Sequence, residues 1–126
     1  MDQWKIPLYR IYTDEEDEKI VNKVIKRGHT WAIGHEIEEF ENNLQELVGT
    51  KHCVAVNSGT SALHAALLAH DIGNGDEVIV PSFSFISTAN SVIFVQAKPV
   101  FADIEEQNYG LDPQSISNKI TKNTKA

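Results

Sequence analysis

The sequence predicts an α/β protein built on a largely parallel sheet, and three observations predict it. From His52 onward, short apolar runs rich in Val and Ile alternate with stretches of helical spacing. Turns of small or chain-breaking residues separate them, at Asn57-Ser58-Gly59, Gly73-Asn74-Gly75-Asp76 and Pro81-Ser82. The chain has 126 residues, 41% of them apolar, enough for one domain with a real core. Strand, helix and strand joined this tightly make βαβ units. Their right-handed crossovers cover both faces of a sheet and gather the βα turns at its carboxyl edge.

The elements follow in order. Thr13 and Glu16 form a capping box ahead of Ile20, Val21, Val24 and Ile25, predicting an amphipathic helix over 14–27 that stops at Gly28. After the loop His29-Thr30-Trp31-Ala32-Ile33-Gly34, the stripe Ile37, Phe40, Leu44, Leu47 and Val48 predicts a second helix over 35–48, closed by Gly49. The βαβαβ pattern then starts at about residue 52. Its expected parts are a strand near 53–57, a helix near 60–70, a strand near 77–80, a helix near 87–95 and a strand near 99–103. Asp112 as N-cap and Pro113 at the first helical position open a last helix containing Ile116 and Ile120. Asn118 to Ala126 reads as a polar tail with no further strand, so the chain is expected to be truncated within its sheet.

Composition excludes several classes. With 11 basic against 18 acidic residues the net charge is −7, which speaks against nucleic-acid or anionic-membrane partners, since both need clustered Lys and Arg. Cys53 is the only cysteine and sits in an apolar run, so no internal disulfide is possible and a cytoplasmic setting is expected. Met1-Asp2-Gln3-Trp4-Lys5-Ile6-Pro7 lacks a signal-peptide layout, and no apolar run is long enough to span a membrane. His29, His35, His52, His64 and His70 show no metal-ligand spacing, and no metal is assigned. The acidic run Asp14 to Glu18 suits the first turns of a helix as a solvated face.

Two turns carry candidate chemistry. Val54-Ala55-Val56-Asn57-Ser58-Gly59-Thr60-Ser61 leads an apolar run into an alanine-rich helix. First-turn N–H groups lack intrahelical partners and lie at the positive end of the macrodipole, so a phosphate can be held there without a basic side chain. Gly59 lets the backbone approach, and Thr60 and Ser61 offer hydroxyls; equally, these residues could simply cap the helix. The second turn, Pro81-Ser82-Phe83-Ser84-Phe85-Ile86, places two aromatics at the same edge, either to stack on a flat ligand or to fill a helix–strand seam. An anion cradle beside an aromatic plate suits a flat, phosphorylated cofactor.

With these turns in view, the chain resembles the DegT/StrS-type nucleotide-sugar aminotransferases that depend on pyridoxal 5'-phosphate (PLP). The resemblance rests on five ordered blocks: Ile6-Pro7; Trp31-Ala32-Ile33-Gly34 with Ile37-Glu38-Glu39-Phe40-Glu41; Asn57 to Leu63; Gly75 to Phe85; and Pro99-Val100-Phe101-Ala102-Asp103-Ile104. It implies the three-layer, mostly parallel fold type I large domain, of which 1–126 would be the amino-terminal part. It also implies a homodimer with active sites at the subunit interface, and a place in polysaccharide or lipopolysaccharide biosynthesis. By resemblance, Gly59, Thr60 and Ser61 hold the cofactor phosphate, Phe85 stacks on the pyridine ring and Trp31 borders the sugar, although a Trp between two helices also packs. The implied substrates are a nucleotide-linked keto-sugar and an amino-acid donor, glutamate in this family.

Family members are about three times as long, and their cofactor-anchoring lysine and ring-pairing aspartate lie past the matched blocks. Lys51, Lys119, Lys122 and Lys125 match neither, and Asp103 reads as structural, so the chain alone is expected to be inactive. Two alternatives stay open: a related sugar dehydratase whose anchoring lysine is replaced by histidine, and a non-catalytic truncated module. The apolar stripes Ile20/Val24 and Ile37/Phe40/Leu44 are expected to bury against a neighbour.

Overall fold

A computed structural model describes residue 6 and residues 9–126, so Pro7 and most of the Met1–Pro7 stretch lie outside the described residues. The chain divides into two compact units, Met1–Ala55 and Val56–Ala126.

The first unit holds two helices, α1 (Glu15–Arg27) and α2 (His35–Val48). The capping box of α1 is built one residue later than Thr13 and Glu16. Asp14 Oδ1 accepts from the N–H groups of Glu16 at 2.9 Å and Asp17 at 3.3 Å, while the Asp17 carboxylate accepts from Asp14 N–H at 3.0 Å. A carboxylate caps more strongly than a threonine hydroxyl because it also meets the positive helix end as a charge. Gly28 and Gly49 end the helices at φ 76° and 74°, a left-handed conformation that costs glycine no Cβ clash. Ile20, Val21, Ile25, Phe40, Leu47 and Val48 remain exposed.

The strand expected at 53–57 does not form. That segment has no backbone ladder bonds among the described residues, Val54 is 78% exposed, and Ala55 N–H donates instead to the Glu41 carboxylate at 2.7 Å.

The second unit contains α3 (Gly59–Ala69), β1 (Glu77–Pro81), α4 (Ser87–Phe94), β2 (Lys98–Ala102) and α5 (Pro113–Ser117). β1 and β2 pair in parallel, from Glu77 opposite Lys98 to Pro81 opposite Ala102. The other edge of β1 is taken by the segment read as a polar tail. Glu77 N–H donates to the Asn123 carbonyl at 2.8 Å, Lys125 N–H to the Glu77 carbonyl at 2.9 Å and Ile79 N–H to the Ala126 carbonyl at 2.8 Å. Thr124 forms a parallel bridge with Glu77. With both edges of β1 filled, 53–57 has no place beside it. Asp112 does cap α5, accepting from Gln114 and Ser115, but the helix ends at Ser117 and Ile120 lies outside it.

The order 124–126, β1, β2 makes successive crossovers run in opposite directions from β1, which puts their helices on opposite faces. Val78 and Val80 face the core with Ile72, Val92, Val95 and Ala97, and Leu67 packs against it. Ile79 faces the other way, into an open apolar groove of about 430 Å³ shared with Leu111, Ile116 and Ile120.

One charged side chain, Glu77, is buried at this junction at 8% exposure. Its carboxylate accepts from the Thr121 hydroxyl at 2.6 Å and from Lys98 Nζ at 2.9 Å. The Thr121 hydroxyl, then Lys98, hold its pKa below the usual glutamate value against the opposing effect of burial. A folded-state pKa below the unfolded one adds stability that is complete above the unfolded pKa and is lost as pH falls through the folded one. Acidification below about pH 4 should therefore loosen the 121–125 segment. Hydrogen exchange of that segment checks this, and Glu77→Gln should remove much of the acid dependence.

Candidate functional site

α3 begins with Ser58 as N-cap, whose Oγ accepts from Ser61 N–H at 3.1 Å. The Ser61 hydroxyl donates to Asn57 Oδ1 at 2.7 Å and lies 3.0 Å from Ser58 Oγ. This network engages both polar groups of Ser61 and fixes the turn. The N–H groups of Gly59 and Thr60 have no partner among the described residues. Gly59 is exposed, and a Cβ built on it would meet nothing within 4 Å. The first turns of α1 and α2 carry Glu15, Glu16, Asp17 and Glu18, and Glu36 and Glu38, whereas that of α3 carries no acidic residue. Its positive end thus carries no acidic side chain and leaves two N–H donors without a partner among the described residues, a setting in which an anion could be held.

The second turn leaves its aromatics outside. Phe85 is 76% exposed, so in this chain it fills no seam. Phe83 has a partner, its ring lying 6.4 Å from that of Tyr109 at a tilt of 52°. In the same turn the hydroxyls of Ser84 and Thr88 meet at 3.0 Å, and α4 starts from Ile86 without a side-chain cap. α3 packs against α4, where the His64 and Phe94 rings stand 5.6 Å apart.

Asp103 serves the scaffold. Its Oδ1 accepts from Ile104 N–H at 2.9 Å and Ser82 Oγ at 3.4 Å, and its own N–H donates to Ser115 Oγ at 2.8 Å. It ties the end of β1 to α5 beside a polar pocket of about 310 Å³ that Lys119 also lines.

In the first unit Trp31 is 65% exposed and so does not pack between helices there. Its loop is held by a group the sequence reading passed over. Arg27 donates from Nε to the His29 carbonyl at 3.1 Å, from Nη2 to the Thr30 carbonyl at 2.9 Å, and from Nη1 to both Glu36 oxygens at 2.9 and 3.0 Å. Its only sequence signal was opposite charge at the two ends of one short loop.

The second unit thus presents a helix start at α3 with two N–H donors that have no partner among the described residues, and an exposed aromatic, Phe85, in the turn between β1 and α4. The chain belongs to the DegT/DnrJ/EryC1/StrS aminotransferase family, whose model matches residues 12–126. It is 41% identical over 106 residues to the UDP-2-acetamido-2-deoxy-3-oxo-D-glucuronate aminotransferase of Pseudomonas aeruginosa, covering 84% of this chain and 29% of that protein. It is 48% identical over 113 residues to the spore coat polysaccharide biosynthesis protein SpsC of Bacillus subtilis, covering 89% and 28%. The apo form of the putative sugar aminotransferase Spr1654 from Streptococcus pneumoniae superposes with a TM-score of 0.86 at 29% identity, covering 97% of this chain and 30% of that one. Spr1654 has also been solved in PLP and PMP forms. The fold is thus that of the fold type I PLP-dependent aminotransferases. The chain spans about 30% of the length of the relatives it matches.

Proposed function

We propose that the chain is the amino-terminal part of the cofactor-binding large domain of a PLP-dependent nucleotide-sugar aminotransferase, which moves an amino group from an amino-acid donor, glutamate, to a keto-sugar nucleotide. The observation that carries this reading is the start of α3, with the free N–H groups of Gly59 and Thr60 at an uncompensated positive end. There Gly59 and Thr60 hold the cofactor phosphate, the Thr60 hydroxyl adds a donor, and Ser61 keeps the cradle in shape through Ser58 and Asn57. The exposed Phe85 ring would stack on the pyridine and shield it from water. When bound, PLP supplies the electron sink that lets an amino group leave one carbon and join another. Trp31 contributes to reading the sugar.

On this reading the family's cofactor-anchoring lysine and ring-pairing aspartate lie outside residues 1–126, and the 126-residue chain alone gives no turnover. In the intact enzyme the exposed stripes of α1 and α2 bury against a second copy, giving a homodimer, and the enzyme works in the cytoplasm.

Trapping the cofactor tests the assignment. After borohydride reduction of the intact enzyme with PLP, peptide mapping should find the label on a lysine outside residues 1–126. A single specific label on Lys51, Lys119, Lys122 or Lys125, or keto-sugar turnover by the purified 126-residue chain, overturns it. Thr60→Ala should weaken PLP binding by about 1 kcal/mol, roughly fivefold, the size of one lost hydroxyl hydrogen bond, as read by cofactor absorbance during titration.

A further inference from the structure

The strongest unassigned feature is the cluster at the base of the Trp31 loop. Arg27, the last residue of α1, reaches over the loop that follows it and bonds two of its carbonyls, His29 and Thr30, while closing on Glu36 in the first turn of α2. The Arg27 and Glu36 side chains are only 18% and 24% exposed, so the pair is partly shielded from solvent. His35 joins it: Nδ1 lies 3.3 Å from Arg27 Nη1 and Nε2 lies 3.3 Å from Glu36 Oε1, which the Nε2–H tautomer satisfies at both ends.

Gly34 explains how the cluster closes. Its φ of −82° is one any residue adopts, so glycine is not needed there for the backbone. A Cβ built on Gly34, however, would collide with the Glu36 carboxylate and the Arg27 guanidinium, and would stand 3.2 Å from the Thr30 carbonyl. The ion pair thus occupies the space a side chain would have taken. What it clamps is a loop with Thr30 at φ 51° and with Trp31 and Ile33 65% and 81% exposed, two large apolar side chains on a braced support.

We propose that Arg27 and Glu36, closing over Gly34, form a latch that positions the Trp31 loop for the sugar nucleotide. The proposal rests on the assignment of Trp31 to the sugar side. Arg27 is a positioning residue: it acts through the loop. Its planar fork can bond two carbonyls and a carboxylate at once, which a lysine ammonium at the same place cannot do.

The test uses the intact enzyme with Arg27→Gln, Arg27→Lys, Gly34→Ala and Trp31→Ala. Hydrogen exchange over residues 28–34 should rise in the first three. KM for the keto-sugar nucleotide should rise about tenfold with kcat changed less than about twofold, as expected when an element that only binds is misplaced. Arg27→Lys keeps the charge yet should fail to restore either readout, whereas a purely electrostatic role would be rescued. Gly34→Ala removes neither charge and should act by pushing the pair apart. Unchanged exchange in Arg27→Gln and Gly34→Ala overturns the latch. Raised exchange with an unchanged KM overturns its role in sugar binding. If Trp31→Ala itself leaves KM unchanged, the assignment of Trp31 fails, and the exchange data still decide whether the latch exists.

Discussion

Gly59→Asp should lower the PLP affinity of the intact enzyme by about 2 kcal/mol, roughly thirtyfold, while leaving the cofactor-free protein as stable as before or slightly more so. The opposite signs follow from position. A carboxylate in the first turn of α3 would meet the positive helix end that α1 and α2 fill with acidic residues, and its Cβ would have no protein atom within 4 Å. The same carboxylate would repel a phosphate from the N–H groups of Gly59 and Thr60. Thermal melting of the apo protein and cofactor titration separate the two effects. A large fall in apo stability would mean that Gly59 serves packing, and unchanged affinity would place the phosphate elsewhere.

The second large effect lies in the core. Val92 is 1% exposed and sits in a cluster of few residues, so Val92→Ala should cost about 2 kcal/mol from lost transfer energy and an unfilled cavity. The next residue of the same helix is the control: Ile93 is 55% exposed, and Ile93→Ala should cost less than about 1 kcal/mol. Urea unfolding of the purified chain checks both. Equal losses would mean that the open face of α4 is buried in solution.

Most helices were legible because their signals are local. The stripes at Ile20 to Ile25 and Ile37 to Val48, the stops at Gly28 and Gly49, and the Asp112-Pro113 start all depend on neighbours within a turn or two. At the start of α1 the Asp14–Asp17 box forms in place of the expected Thr13–Glu16 one, a shift of one residue. Strands were harder, since a strand needs a partner that the segment itself does not name. Val54 and Val56 have β-forming side chains and no ladder, whereas Thr124 to Ala126 look polar and pair with β1. The same limit hid the latch: Arg27 and Glu36 are nine residues apart, and only the fold of the intervening loop brings them together. At the α3 turn, residue types pointed to an anion cradle, but only coordinates distinguish the engaged amide of Ser61 from the free ones of Gly59 and Thr60.

The arrangement of strands around β1 bears on the order of events during synthesis. Every member of the buried cluster lies between Ile72 and Ala102, and β1 pairs with the strand that follows it after a single helix. Contacts this close along the chain form quickly, so this nucleus can assemble on the ribosome as soon as β2 has emerged. Residues 53–57 emerge earlier yet find both edges of β1 claimed by later segments. The Val54-Ala55-Val56 stretch therefore leaves the ribosome ahead of this nucleus and has no ladder partner among the described residues.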